Sequence, residues 1–349
     1  MVFKFVGKFC RDAKFRKEYL KSWTDIRNYS RKDFLIFFFG SQLAYGIYYT
    51  TRYSLIGDVP VYHHSRVISN IAGAIGRTYI PKFMRSTLYG FYAKTYGVNL
   101  DEMVRPLEDY TSFVDFFTRD VKPRFIDQNP NLLVSPADSK VLTLSEVTEN
   151  QVMLIKQMKY GLGEFLSGTR DSVMKEEELI GLKYRDQKKE PTKLYSAIFY
   201  LSPGDYHHYH SPCDFKVYMR RHIVGYLYPV KISYIESKPR VYEDNERVTL
   251  FGEWNKGFMT QTYVGATNVG SMTLTHEPGF DTNYLSAVGR DKSNDVTYKT
   301  PVFLAKGQEV GAFRLGSTVV MVFEAPPNFQ WLIKEGDKVK FGQPVGICP

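Results

Sequence analysis

The chain reads as an α+β protein: a basic, aromatic and helical N-terminal portion leads into a mostly β domain that runs from about residue 121 to the end. Three observations predict this. An uncharged stretch, 34–51, follows a basic leader. Apolar residues at helical spacing fill much of 64–120, in two segments broken at Pro81 and Pro106. Beyond Pro123 the pattern shifts to short β-branched and aromatic runs separated by Pro, Gly and Asp, ending in Val319-Val320-Met321-Val322-Phe323, which reads as a strand buried on both faces.

The charge balance points to an anionic partner. Lys plus Arg number 46 against 37 Asp plus Glu, a formal charge of +9. No nucleic-acid motif accompanies that charge, whereas 26 Tyr and 25 Phe supply the amphipathic rings that collect where protein meets lipid headgroups, so an anionic membrane is the partner the composition favours. Cys10, Cys213 and Cys348 are odd in number and far apart, which gives neither a disulfide framework nor a Cys-x-x-Cys pair.

Residues 1–33 form the leader, with ten Lys or Arg against the four acids Asp12, Glu18, Asp25 and Asp33. A mitochondrial presequence is richer in Ser and poorer in acids, so the leader resembles one only loosely, and a solvated cationic arm is the plain alternative. Residues 34–51 would span roughly 27 Å as a helix, enough for a thin bilayer. Arg31 and Lys32 on one side and Tyr45, Tyr48 and Tyr49 on the other fit a single transmembrane span; a buried helix is the rival, because Gln42 and two glycines dilute the run. Residues 52–120 read as a helical, membrane-associated region: Val67, Ile68, Ile71, Ala72 and Ile75 recur at helical spacing among basic residues, a pattern shared by interfacial helices and ordinary core helices.

Within 121–349, strands are expected at Leu194–Leu201, Lys216–Ile223, Val248–Phe251, Ala312–Arg314, Val319–Phe323 and Pro344–Cys348, with a helical insert over 163–181 and a charged loop at Lys183–Lys193. Lys334-Glu335-Gly336-Asp337-Lys338-Val339 followed by Gly342-Gln343-Pro344-Val345 resembles the hairpins of lipoyl and biotinyl carrier domains, which implies barrel-sandwich character.

Three of the seven histidines cluster in Asp205-Tyr206-His207-His208-Tyr209-His210. In a helical turn His207 and His210 would share a face; in an extended segment His208 and His210 would. Imidazoles so placed supply or remove protons near neutral pH. The metal reading His207-x-x-His210-x-x-Cys213 matches no common zinc spacing, and surface histidines in a Pro-bounded loop are the plain alternative. Asp138, in Ser135-Pro136-Ala137-Asp138, has the setting of a turn residue, yet with a histidine and Ser317 it completes an Asp, His, Ser set able to activate a hydroxyl. Ser317 follows Gly316 at the entrance to the buried strand, where a hairpin turn is the simpler explanation of four residues taken alone.

Five motifs nevertheless occur together: Leu315-Gly316-Ser317-Thr318; Ser135-Pro136-Ala137-Asp138; Asp205-Tyr206-His207-x-x-His210; Tyr110-x-Ser112-Phe113-x-x-Phe116-Phe117-x-Arg119; and Val264-Gly265-Ala266-Thr267-Asn268-Val269-Gly270-Ser271. In this combination the chain, from about residue 60 to the end, resembles the phosphatidylserine decarboxylases. The resemblance implies a self-processing enzyme that decarboxylates phosphatidylserine to phosphatidylethanolamine. It is cut between Gly316 and Ser317 into a large chain, 1–316, and a small chain, 317–349. Mapped onto these motifs, Asp138 orients His210 and His210 deprotonates Ser317, whose hydroxyl attacks the Gly316 carbonyl. Ser317 then becomes a pyruvoyl group, the only cofactor, which forms a Schiff base with the substrate amine; His207 reprotonates the product carbon. No metal is implied. One residue departs from the pattern: Ser139 stands where family members commonly carry Gly, which matters if the position requires positive φ.

A serine hydrolase using Asp138, His210 and Ser317 without cleavage is the alternative, but Ser317 lacks the Gly-x-Ser-x-Gly elbow. A carrier module would need a lysine at a hairpin tip near 316–318, and none is there. Leader and span together fit the mitochondrial inner membrane with the catalytic domain facing the intermembrane space; an endoplasmic-reticulum signal anchor has the same charge asymmetry. A homodimer is left open.

Overall fold

The computed structural model describes residues 69–70, 72–147, 151–155, 158–168, 191–230, 232–235, 240–266, 271–282, 293–314 and 317–349. They all belong to one compact unit, Tyr62–Pro349. The leader, the 34–51 span, most of the helical insert and charged loop, and Gly316 itself lie outside the described residues.

Helix α1 (Lys82–Tyr96) starts directly after Pro81 and stops at Gly97, which takes the left-handed conformation (φ 70°) and donates its N–H to the Ala93 carbonyl. Arg85, Tyr89 and Ala93, four residues apart, bury one face. Beyond Gly97 the backbone is mostly irregular up to Ser112, so the helical reading of 64–120 overreached there: local apolar spacing does not survive the αL stop. Helix α2 (Phe113–Phe117) is capped by Ser112, whose hydroxyl accepts from the Asp115 amide. Its Phe116 stacks on Tyr89 at 4.5 Å between centroids, which docks α2 on α1. A third helix, α3 (Leu162–Ser167), is the described part of the insert expected at 163–181.

The strands are β1 (Leu132–Val134), β2 (Ser139–Glu146), β3 (Gln151–Ile155), β4 (Met158–Gly161), β5 (Lys193–Leu201), β6 (His208–His210), β7 (Phe215–Ile223), β8 (Arg247–Trp254), β9 (Gly257–Val264), β10 (Met272–Leu274), β11 (Ser293–Leu304), β12 (Glu309–Phe313), β13 (Ser317–Ala325), β14 (Gln330–Trp331), β15 (Lys338–Val339) and β16 (Pro344–Ile347). The expected strands at Leu194, Lys216, Val248, Val319 and Pro344 all appear, most with longer ends. Eight strands form an antiparallel sheet in the order β11-β7-β8-β9-β13-β5-β2-β15. Two three-stranded sheets, β10-β12-β6 and β1-β16-β14, and the β3-β4 pair complete the count among the described residues.

β13 is the central element. Paired with β5 on one side and β9 on the other, it is buried at every position. Val319, Met321 and Phe323 enter a core shared with Leu133 of β1 and Val345 of β16, while Val320 and Val322 face a second core with Leu162, Phe165 and Leu166 of α3. Each such side chain stabilises the fold by about 2 kcal/mol. The stretch 334–345 does not pair with itself as the carrier-like hairpin would: β15 joins β2, and β16 joins β1 and β14. The turn residues between these strands encode a reversal, but the partner of each strand is set by apolar faces elsewhere in the chain.

Candidate active site

Ser317 is the first residue of β13 and lies opposite Leu201, the last residue of β5. Its side chain is fully buried, and Oγ has no hydrogen-bond partner among the described residues. An unpaired buried hydroxyl costs about 1–3 kcal/mol, so its presence calls for a use.

After Leu201 the chain turns through Ser202–Asp205, where the Ser202 amide donates to the Asp205 carboxylate at 2.6 Å and the Asp205 amide to the Ser202 carbonyl at 2.9 Å. Gly204 is required in this turn, because a Cβ there would stand 2.1 Å from the Tyr96 carbonyl at the end of α1. The histidines follow immediately. The β5–β13 register therefore brings Ser317 beside the strand end from which they emerge.

The histidine segment is extended, which resolves the two readings of its spacing: His208 and His210 share a face of β6, and His207 precedes the strand. His207 is fully buried and packs against Phe117, 4.0 Å between ring centroids. Its Nδ1 lies 2.8 Å from the Asp205 carbonyl. A carbonyl only accepts, so Nδ1 carries the proton and Nε2 presents a lone pair, with no partner among the described residues. Burial pushes its pKa down to about 3, against the hydrogen bond to Asp205, and the Arg119 charge adds to the effect. His210 is held in the same way: Nδ1 donates to the Gly307 carbonyl (3.0 Å), and Nε2 accepts from the Tyr206 hydroxyl (3.3 Å). Burial lowers its pKa to about 4. Both imidazoles are thus neutral at physiological pH, each with its proton committed to a backbone carbonyl and a lone pair left on its other nitrogen.

His208 is different. Nδ1 pairs with Glu309 at 2.9 Å and Nε2 with the Thr118 carbonyl at 3.1 Å. Although burial opposes it, the Glu309 carboxylate raises the His208 pKa, and the same contact lowers that of Glu309. Both of its ring nitrogens face acceptors, and the imidazole ties β6 to β12 and to the end of α2. Cys213, from the alternative metal triplet, instead places its Sγ against the Met259 sulfur in the core.

Asp138 is buried in front of β2, and its carboxylate accepts from Arg124, from Lys340 Nζ (3.2 Å) and from the Phe341 amide (2.9 Å). Its carboxylate is not hydrogen-bonded to His210. The link between them is the backbone, since the His210 amide donates to the Pro136 carbonyl at 2.7 Å, two residues before Asp138. Ser139 opens β2, and the one described non-glycine residue with positive φ is Arg240. Serine in place of the family glycine therefore brings no backbone strain here.

Arg119, quoted above only as part of a motif, contacts the same turn as His207. It is buried, and Nη2 donates to the Gly204 carbonyl (2.7 Å) and the Asp205 carbonyl (3.1 Å), while Nε and Nη1 have no partner among the described residues. The sequence reading missed its role, as it did those of Arg124, Lys340 and Phe341. An arginine inside the aromatic run Phe113–Phe117-x-Arg119 was the available signal; Phe341 offered none.

A buried serine hydroxyl at a strand end and two neutral imidazoles, fixed by backbone carbonyls with Nε2 left as the acceptor, form an arrangement suited to acyl transfer. The comparisons specify it further. The family model for phosphatidylserine decarboxylase matches residues 113–347. The mitochondrial phosphatidylserine decarboxylase proenzyme of Rattus norvegicus is 35% identical over 308 residues, covering 84% of this chain and 74% of that protein. The phosphatidylserine decarboxylase proenzyme of Plasmodium falciparum is 35% identical over 289 residues (80% and 76%), and mitochondrial proenzyme 1 of Saccharomyces cerevisiae is 31% identical (80% and 71%). The chain belongs to the phosphatidylserine decarboxylase family, enzymes of the carboxy-lyase class.

Proposed function

We propose that this protein converts phosphatidylserine to phosphatidylethanolamine with a pyruvoyl group made from its own Ser317. The observation that carries the reading is the buried, unpartnered Oγ of Ser317 at the head of β13, next to the turn that leads into two neutral histidines. Such a hydroxyl fits the precursor of a pyruvoyl group, which needs a serine nucleophile shielded from water.

In the proposed sequence His210 Nε2, released from the Tyr206 hydroxyl, takes the Ser317 proton as Oγ attacks the Gly316 carbonyl. The peptide C–N bond gives way to an ester, and the Ser317 nitrogen becomes an amine. Elimination then frees the Gly316 carboxylate as the end of chain 1–316 and leaves dehydroalanine at 317; water replaces its nitrogen, which departs as ammonia. A pyruvoyl group supplies a ketone that condenses with the substrate amine and accepts the electron pair as carbon dioxide leaves. Asp138 acts with Arg124, Lys340 and Phe341 to set the His210 environment. His207, in separate surroundings, handles the proton at the substrate carbon. Nδ1 stays on the Asp205 carbonyl, so Nε2 is the nitrogen that exchanges that proton.

The finer placement follows the same reading. Phe83 and Phe91 of α1 are exposed, the latter to 74%, beside Lys82 and Lys94, and Phe125 is 90% exposed. These suit contact with an anionic lipid surface that presents the substrate. Among the described residues no helix is long and apolar enough to cross a membrane, so a span would be 34–51. The naming of the relatives supports mitochondria, with the inner membrane facing the intermembrane space as the proposed site and the endoplasmic reticulum as the alternative. The core shared by the large sheet and β1-β16-β14 supports a barrel-sandwich description.

Mass spectrometry of the purified protein tests the proposal. Two chains, 1–316 and 317–349, are expected, the second with a blocked N-terminus, and the sample should release carbon dioxide from phosphatidylserine vesicles. An intact active chain, labelled at Ser317 by a fluorophosphonate, would establish the hydrolase instead.

A further inference from the structure

Asp138 and His210 do not share a hydrogen bond, but one residue touches both. The Phe341 amide donates to Asp138 Oδ1 at 2.9 Å, and the Phe341 ring lies parallel to the His210 imidazole, 4.0 Å between centroids with 8° between planes. The Arg124 guanidinium sits 4.4 Å from the centre of the same ring. Two groups that close cannot occupy one face, so Phe341 is held between the cation and the imidazole. Arg124 also pairs with Asp138, which makes the order Asp138, Arg124, Phe341, His210.

The segment that carries Phe341 is pinned to the Asp138 loop at several points. Lys340 Nζ donates to Asp138 (3.2 Å) and to Glu102 (3.1 Å), and Arg124 Nη2 also reaches Glu102 (2.7 Å). The Gly342 amide donates to the Ser135 carbonyl (3.0 Å) and the Ser135 amide to the Gln343 carbonyl (2.8 Å). Gly342 has φ 81°, which is what lets the chain reverse there. His210 has its two ring nitrogens on Gly307 and Tyr206, and Phe341 covers a face of the ring. The charged groups that act on the ring are Glu309, His208 and Asp138.

We infer that Phe341 is a positioning residue for self-cleavage: it transmits the placement of Asp138 to His210 by stacking, in place of a direct carboxylate–imidazole hydrogen bond. Because Phe341 lies in 317–349, the segment that cleavage separates brings the brace for the base that releases it. This rests on the reading of His210 as the processing base.

The test follows the appearance of chain 317–349 from freshly synthesised full-length protein carrying Phe341→Ala, Phe341→Leu or Phe341→Tyr, across pH. Phe341→Ala should slow cleavage by about tenfold to a hundredfold, the scale of a misplaced catalytic group. Solvent reaching the imidazole should also move the acid limb of the rate from near 4 toward the ordinary value of 6.5. Phe341→Tyr keeps the flat ring and should cleave within about twofold of the parent. Phe341→Leu, which fills space without stacking, should resemble Phe341→Ala. If Phe341→Ala does not fold, the comparison of Leu with Tyr decides. Parent-like cleavage in Phe341→Ala, or equal rates for Leu and Tyr, overturns the inference. His210→Ala separates the two ideas: a cut His210→Ala chain refutes the underlying reading, whereas an uncut one beside a Phe341-insensitive rate refutes the stacking role alone.

Discussion

Arg119 and His207 donate to the same oxygen, the Asp205 carbonyl, at 3.1 and 2.8 Å. The guanidinium holds the carbonyl that fixes the tautomer and direction of the imidazole, so it acts on the proposed decarboxylation step through His207. Arg119→Met should still give chain 317–349 but lose about a hundredfold in decarboxylation, as expected when a catalytic group is displaced by about 1 Å. Arg119→Lys should recover part of it with a changed pH profile. Turnover of short-chain phosphatidylserine, measured alongside fragment mass, checks this; parent-like turnover in Arg119→Met would remove the residue from the site.

His207→Ala is expected to separate the two activities. Cleavage should be largely retained and carbon dioxide release lost, because His207 and His210 have different partners and each Nδ1 rests on a different carbonyl. An uncut His207→Ala chain would show that the two histidines have the opposite roles.

Ser317→Ala should remain a single chain with no decarboxylase activity, since no hydroxyl is present to begin the acyl shift. Gel analysis and intact mass are sufficient. Normal production of the small chain would end the proposed mechanism.

Acid should destabilise the fold in a predictable direction. His207 and His210 titrate near 3 and 4 when folded, below the ordinary 6.5, so as the pH falls below 6.5 the unfolded chain binds protons first. Stability is unaffected by these groups above 6.5 and declines as the pH falls from 6.5 toward 4. The His208–Glu309 pair has another window. The raised His208 pKa gives stability that is present below 6.5 and lost as pH rises through its folded value; the lowered Glu309 pKa gives stability present above 4.5 and lost as pH falls through its folded value. Thermal midpoints against pH in a Ser317→Ala background, where every variant is uncut, test this. His207→Gln with His210→Gln should flatten the acid limb, and an unchanged slope would contradict it.

Gly311→Ala should abolish processing by breaking the β10-β12-β6 sheet. A Cβ at 311 would lie 1.9 Å from the Thr273 carbonyl and 2.7 Å from the Tyr209 hydroxyl, both fixed in neighbouring strands. Loss of the folded signal in circular dichroism is expected, and a soluble, cleaved Gly311→Ala chain would show that the sheet can part.

Much of this was legible in the residues themselves. The unbroken apolar, β-branched run Val319–Phe323 dictates a strand buried on both faces, and Ser317 at its head is local information of the same kind. The break expected at Pro81 is where α1 begins, a local effect of one residue, whereas the helix ends at Gly97 and not at the expected Pro106. The motif order nominated Asp138, His207, His210 and Ser317 without any structure. What only the tertiary structure decided is how these groups are held: which nitrogen of His207 and of His210 keeps its lone pair, that His208 is tied to Glu309, and that Asp138 meets Arg124 and the Phe341 amide, the latter 203 positions away in the chain. Local propensity specifies whether a stretch extends or coils, but contacts between distant segments depend on which apolar faces pair across the sheets, and no short window of sequence contains both partners.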